Sequence, residues 1–151
     1  MKALSIHSFY ASAIACGLKA VELRSWRTSH KGDLLICSTK RDQFTKGLKE
    51  RFVFGKALAV AELLGCIPYE ESHRDAAFVD EEDEIPEGTY SWVLDNIRPI
   101  KPFDVKGRLS LFDVDTAGVE YLGIAPTTEE GIEEIQDYWI NHGYITTKPW
   151  G

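Results

Sequence analysis

The residues with the clearest chemical potential form one short polar group early in the chain. The group consists of Lys19, Glu22, Arg24, Trp26 and Arg27. An arginine presents a planar fork of donors to a phosphate or a base edge, whereas a lysine presents a point charge. A glutamate can hold both cations in place or exchange a proton, and a tryptophan can stack on a base. The group is therefore typical of a site for a polar, planar and partly anionic ligand such as a nucleotide.

A purely structural role explains the same residues. Glu22 would then pair with Lys19 or Arg24, and Trp26 would lie in the core. If the segment is a strand, Glu22, Arg24 and Trp26 project to one face because side chains repeat every two residues. Spacing alone leaves both interpretations open.

Two further groups are candidates for the same site. Ser38, Lys40 and Arg41 follow a buried apolar strand and precede a helix-compatible segment at 42–52. Hydroxyl groups, bases and the free amides of a helix start are well placed for phosphate, although an ordinary polar loop has the same composition. His7 and Tyr10 follow the first predicted strand and are candidates to line a pocket.

Charge is distributed unevenly along the chain. The net charge of −7 argues against a general nucleic-acid coat, because an acidic surface repels phosphate. Residues 19–56 nevertheless carry ten bases against four acids, whereas 70–87 carry nine acids and one base. Residues 113–138 carry eight acids and no base. The pattern indicates either solvated surface charge or one anion site between acidic flanks.

The predicted elements place these groups in one α+β domain. Strands are expected at 2–6, 21–24, 34–37, 58–67, 90–94, 97–103 and 109–114. Helices are expected after Ser8 and, from a capping box at 127–130, through Trp139. Because regular βαβ alternation is missing, the pattern favours a small, mostly antiparallel β-barrel with flanking helices.

Composition excludes several other classes. The 151 residues are expected to form one domain, and no apolar run approaches the length of a membrane span. Three separate cysteines are typical of free buried thiols in a reducing cytoplasm. No Cys-x-x-Cys pair or P-loop occurs, so neither a metal nor a cofactor is expected. A cytoplasmic monomer is the expected state.

Several motifs resemble the ASCH domain family, which belongs to the PUA-like superfold. Gly17-Leu18-Lys19, with Glu22 and Arg24, is similar to the family signature G-x-K-x-x-E-x-R. The stretches that begin at Gly32, Gly55 and Tyr90 are similar to its later strands. The resemblance covers about residues 2–114 and gives a domain at 1–114 with an acidic insertion near 69–88. Residues 115–151 would be a C-terminal helical extension packed on the same domain.

The resemblance implies a small β-barrel with a basic cleft beside the signature strand, and it implies binding of RNA or of a modified nucleotide. Some family members look like enzymes, which suggests a metal-independent ribonuclease or a modified-nucleoside amidohydrolase. One branch hydrolyses N4-acetylcytidine with a Lys and a Thr three residues later. Lys19 matches that Lys, but Glu22 stands where the Thr hydroxyl would be. In an enzyme Lys19 and Glu22 would be the acid–base pair, because two titratable groups beside a substrate pocket can divide those roles. A protein-interaction module that meets a basic partner is the third hypothesis.

Overall fold

The computed structural model describes residues 1–40, 53–123, 125–126 and 128–142. Six strands, two helices and a short 3-10 turn follow one another. They are β1 (Lys2–Ile6), α1 (Ser8–Ala15), β2 (Val21–Arg24), β3 (Gly32–Ser38), β4 (Lys56–Pro68), the turn Glu71–His73, β5 (Tyr90–Asp104), β6 (Phe112–Asp113) and α2 (Glu129–Asn141). The predicted helix at 42–52, the candidate Arg41 and the C-terminal tail at 143–151 lie outside the described residues.

The strands form one mixed sheet in the order β2-β5-β4-β3-β1-β6. β1 and β3 are parallel, and the other neighbours are antiparallel. This confirms the predicted α+β class and its mostly antiparallel character. Among the described strands β2 and β6 are the free ends of the order, so closure of the sheet into a barrel is not confirmed.

Two long strands bend the sheet. β4 has 13 residues and β5 has 15, and their register shifts at three places. Such irregularities bend a strand and increase its twist. The predicted pair of strands at 90–94 and 97–103 is therefore one continuous strand, with Asn96 in a left-handed conformation near its middle. As a result of the bending, β2 lies near β1, although three strands separate them in the sheet order.

The main core lies inside this bend. α1 is buried on nearly all sides, and its Ala11, Ala13 and Ala15 are fully inaccessible. Small side chains allow a helix to approach a sheet closely, and a helix that is apolar all round is typical of an enclosed position. Trp92 of β5 and Trp139 of α2 are both fully buried in the same core, as their apolar context predicts.

The helix starts differ in detail from the predicted ones. Ser8 is the first residue of α1, and its N-cap is His7, which makes no side-chain capping bond. The cap of α2 is Thr128, whose hydroxyl accepts a hydrogen bond from the Gly131 amide at 3.1 Å. Adjacent threonines at 127 and 128 are nearly equal as N-caps, which explains why α2 starts one residue later than the capping box predicted. None of the described helices is long and apolar enough to cross a membrane.

Gly17 ends α1 in the conformation that its sequence position predicts. Its φ is +79°, and a Cβ there would lie 2.8 Å from the carbonyl oxygen of Pro126. We expect Gly17→Ala to lower the free energy of unfolding by more than the about 1–2 kcal/mol that a left-handed alanine costs by itself. Gly88→Ala is the matched control, because Gly88 has φ +86° and open space around it. Urea denaturation measures both; equal losses would contradict the contact with Pro126.

Candidate nucleic-acid interface

The polar group after α1 forms one chain of ion pairs. The Glu22 carboxylate accepts from both sides: Lys19 Nζ lies 3.3 Å from Oε1, and Arg24 Nη2 lies 2.9 Å from Oε2. Arg24 Nε is also 3.2 Å from Oε2, so the arginine is held by two of its nitrogens. The ion pairs that a structural role predicts are therefore present, and so is the cluster of Lys19, Glu22 and Arg24 that a binding role predicts.

Burial divides the chain of ion pairs into an inner and an outer part. Lys19 is 2% exposed and Glu22 is 7% exposed, whereas the Arg24 side chain is 26% exposed. A buried charge is stable only when it is paired and hydrogen-bonded. Lys19 meets this condition because Nζ donates to the Ala77 carbonyl at 2.5 Å and lies 4.8 Å from the ring centre of Tyr10. Burial lowers the pKa of Lys19, and the Glu22 carboxylate opposes that effect.

Residues 69–88, called the acidic segment below, form one wall of this site. The Ala76 carbonyl accepts from the amides of Ala20 and Val21 at 2.9 and 3.0 Å. Next to it, the Phe78 ring lies 5.8 Å from that of Phe9 on α1. The predicted acidic insertion is thus attached to the start of β2, a contact that the sequence did not indicate.

A single arginine holds the acidic end of that wall. Arg74 Nη1 donates to the carbonyls of Asp80 and Asp83 at 2.6 and 2.8 Å, and the guanidinium pairs with Glu71. The carboxylates are close enough to act on Tyr10: burial, then Asp83, Glu22 and Asp80, raise the pKa of its phenol. Negative charge therefore borders the inner part of the site.

Arg24 also connects β2, at one end of the sheet, to β1, which is next to the last strand at the other end. Its Nη2 donates to the Ser5 carbonyl of β1 at 2.9 Å. Within the described part of the chain, Nη1 has no hydrogen-bond partner. The guanidinium is thus fixed on its inner side and retains donors on its exposed side.

The end of β3 lies at the same end of β1, because Ile6 pairs with Ser38. The Ser38 hydroxyl is already engaged, since it donates to the Lys56 carbonyl and accepts from the Lys56 amide, both at 3.2 Å. Lys40 is exposed and runs beside Gly55, where a Cβ would lie 2.9 Å from Lys40 Cγ. Of the residues of this group that the structure describes, Lys40 is therefore the available cation.

Two bases that the sequence reasoning did not select lie nearby. Lys106 and Arg108 are exposed in the loop after β5. Gly107 between them approaches Ser5 so closely that a Cβ would lie 2.6 Å from the serine hydroxyl oxygen. The available signal was a pair of bases around a glycine, but these residues fall between the three segments, 19–56, 70–87 and 113–138, whose charges were counted. We call the set Arg24, Lys40, Lys106 and Arg108 the basic edge.

The aromatic residues of the candidate site are partly engaged. The Trp26 carbonyl accepts from Trp92 Nε1 at 3.1 Å, and the two rings meet edge to face at 4.8 Å. Trp26 is half-buried, so it supports the core as well as the strand end. Arg27 is exposed and lies 5.9 Å from the ring centre of Tyr90. His7 is also exposed, beside the start of α1.

The described residues contain no group of three or more potential ligands suited to a metal ion. Cys16 and Cys37 are buried and free, as predicted, whereas Cys66 is partly exposed. Burial raises the pKa of both buried thiols, and that of Cys37 reaches about 12. These thiols are structural in character, because a reactive cysteine needs a lowered pKa.

Comparison with known proteins identifies the family of this chain. The ASCH domain matches residues 4–104, so the chain belongs to the ASCH domain family, as its motifs indicated. Human activating signal cointegrator 1 is 24% identical, over 75% of this chain and 22% of the human protein. The chain thus spans 22% of the length of this curated relative.

Solved structures share the fold. The ASCH protein of Zymomonas mobilis has a TM-score of 0.57 at 17% identity, covering 89% of this chain and 92% of the other. A tyrosine-to-phenylalanine variant of that protein gives a TM-score of 0.56 at 17% identity, with coverages of 89% and 94%. At this identity the likeness concerns the fold alone.

Breaking the buried ion pair is expected to destabilise the protein strongly. Glu22→Gln leaves the Lys19 ammonium buried without its counter-ion, which typically costs about 3–5 kcal/mol. Replacing both partners, as Lys19→Met with Glu22→Leu, is expected to cost less. Urea denaturation of the three proteins measures the difference. Asp33→Asn, in the exposed pair with Arg98, is the control and should change little; a double variant no more stable than Glu22→Gln would contradict the argument.

Tyr10 reports the position of the acidic segment. Its raised pKa means that the phenol contributes stability below the ordinary value of 10.0, which is lost as pH rises through the folded-state pKa. We expect Asp83→Asn to bring that pKa closer to 10.0. The difference in phenolate absorbance between each protein and its Tyr10→Phe counterpart measures it. Glu87→Gln is the control, and an unchanged titration in Asp83→Asn would place Asp83 away from the ring.

Proposed function

We propose that this domain binds single-stranded RNA, or a nucleotide with a modified base, along the basic edge. The observation that carries the proposal is the fixed guanidinium of Arg24. Glu22 and the Ser5 carbonyl hold it in one orientation with its outer donors exposed. A preorganised arginine loses little conformational freedom on binding a phosphate or a base edge, which favours it over a mobile surface base.

The surroundings of Arg24 support the same proposal. Lys40, Lys106 and Arg108 add three exposed cations at the same end of the sheet. Several cations at one end of a sheet suit a nucleic-acid backbone, which carries one charge per nucleotide, better than a single anion. Arg27 and Tyr90 lie at the other end of β2 from Lys19 and offer a cation and a ring for a base.

Lys19 and Glu22 have an indirect role in this proposal. Both are almost completely buried, so they position Arg24 and the acidic segment and do not contact phosphate themselves. The family origin of the domain adds to the proposal, because a nucleotide-recognition role is what the signature suggested. A reducing, cytoplasmic location and a monomeric state belong to the same proposal.

Lys40 provides the direct test. We expect Lys40→Ala to weaken RNA binding for all sequences and to lower the slope of log Kd against log salt by about 0.7, the value for one phosphate contact on a single strand. Lys31→Ala is the matched control, because Lys31 is an exposed base at the opposite end of β3. Fluorescence anisotropy with labelled RNA at several salt concentrations measures both. Identical slopes for Lys40→Ala and wild type would contradict a phosphate contact.

A second candidate function is an RNA-directed or nucleoside-directed hydrolase. The observation that favours it is the contact between Lys19 Nζ and Glu22 Oε1 at 3.3 Å, because two adjacent titratable groups can divide the acid and base roles of a hydrolase between them. The test is incubation of the protein with total RNA and with N4-acetylcytidine, without added metal. Turnover that is lost in Lys19→Met would support the hydrolase; RNA that stays intact in a stable complex would support binding alone.

A further inference from the structure

The loop between β5 and β6 is anchored to the fold at both ends and exposed in between. At one end Val105 is buried, and its amide donates to the Gly55 carbonyl at 2.9 Å. At the other end Leu111 packs against the main core, and Phe112 pairs with Ala3 of β1. The residues between these anchors, 106–110, are exposed and form the tip of the loop.

Leu109 at the tip is 97% exposed. The other exposed large apolar residues of the described chain keep about half of their surface covered, at 44% to 49% exposure. Ser110 explains the difference between Leu109 and its neighbour Leu111: its φ of 61° interrupts the strand alternation, so one leucine faces the core and the other faces away. A backbone conformation that favours glycine is thus used to present an apolar side chain to solvent.

The residues near the exposed leucine are positively charged. Lys106 and Arg108 are both exposed, and within the described chain neither has an ion-pair partner. No acidic residue occurs between Val105 and Phe112. The contact between Gly107 and Ser5 fixes the loop beside Arg24, which donates to the same serine.

We propose that the tip is a further contact site for single-stranded RNA, in which Leu109 inserts against an unstacked base. Arg108 and Lys106 hold the phosphates on either side. Apolar side chains flanked by cations are suited to this task, because the base covers the apolar surface while the backbone neutralises the charge. A membrane surface is less suited, since one leucine supplies too little apolar area for stable anchoring. This inference rests on the proposed RNA binding.

The test uses a single-stranded RNA of about 12 nucleotides, within the usual site size of single-strand binders, labelled with 2-aminopurine. This base becomes more fluorescent when it leaves a stack. We expect wild type to increase the fluorescence and Leu109→Ala to lose most of that increase. Half-burial of the removed carbons predicts a Kd about fivefold to tenfold weaker, with an unchanged salt slope. Arg108→Ala should instead lower the slope by about 0.7.

Leu64→Ala is the matched control, because Leu64 is an exposed leucine on β4; it should retain both affinity and fluorescence. Leu109→Ala should melt at the wild-type temperature, since its side chain contacts almost nothing. Normal affinity and fluorescence in Leu109→Ala, with a weakened Lys40→Ala, would overturn the inference and leave the proposed function intact. No RNA binding by wild type would overturn both. Binding of anionic vesicles that depends on Leu109 would also overturn it, in favour of a membrane contact.

Discussion

The buried carboxylate of Glu22 is the constraint on which the rest of the site depends. One oxygen faces Lys19 and the other faces Arg24. Through Lys19 the carboxylate is connected to the Ala77 carbonyl of the acidic segment, and through Arg24 to the Ser5 carbonyl of β1. Three parts of the chain that are distant in sequence are therefore held by one acidic side chain.

This arrangement explains how a bent sheet, whose first and last strands are not paired with each other, can keep a defined shape. The backbone ladder does not join β2 to β1, and the Arg24 side chain makes the connection instead. A side-chain connection is specific in direction, because a guanidinium donates in fixed directions. The same geometry turns the remaining donors of Arg24 outward. Arg24 thus connects β2 to β1 and, in the proposed function, would also bind the ligand, which is why spacing alone did not separate the structural from the functional interpretation.

Local patterns predicted the elements well and their long-range contacts poorly. Alternation located β1 and β2, and continuous apolar runs predicted β3 and β4, because these signals depend on neighbouring residues. The contacts of Ala77 with Lys19 and of Gly107 with Ser5 depend on the bending of β4 and β5. No local pattern encodes that bending. The sequence therefore indicated Arg24, Lys40 and acidic flanks, but not Lys106, Arg108 or the contact of the acidic segment with Lys19.

The net negative charge and the proposed RNA binding are compatible because charge is unevenly distributed over the protein. Its net charge of −7 repels RNA at long range. Screening limits that repulsion to about 8 Å at physiological ionic strength, so a ligand at the surface responds mainly to nearby groups. At the basic edge these are mostly cations, with Asp104 close to Lys40, whereas Asp80 and Asp83 border Tyr10 behind it. In the proposed function, an RNA strand along the edge would gain attraction, and one displaced toward α1 would meet carboxylates. The acidic segment would thus act on the register of a bound strand, and long-range repulsion would disfavour loose, non-specific association.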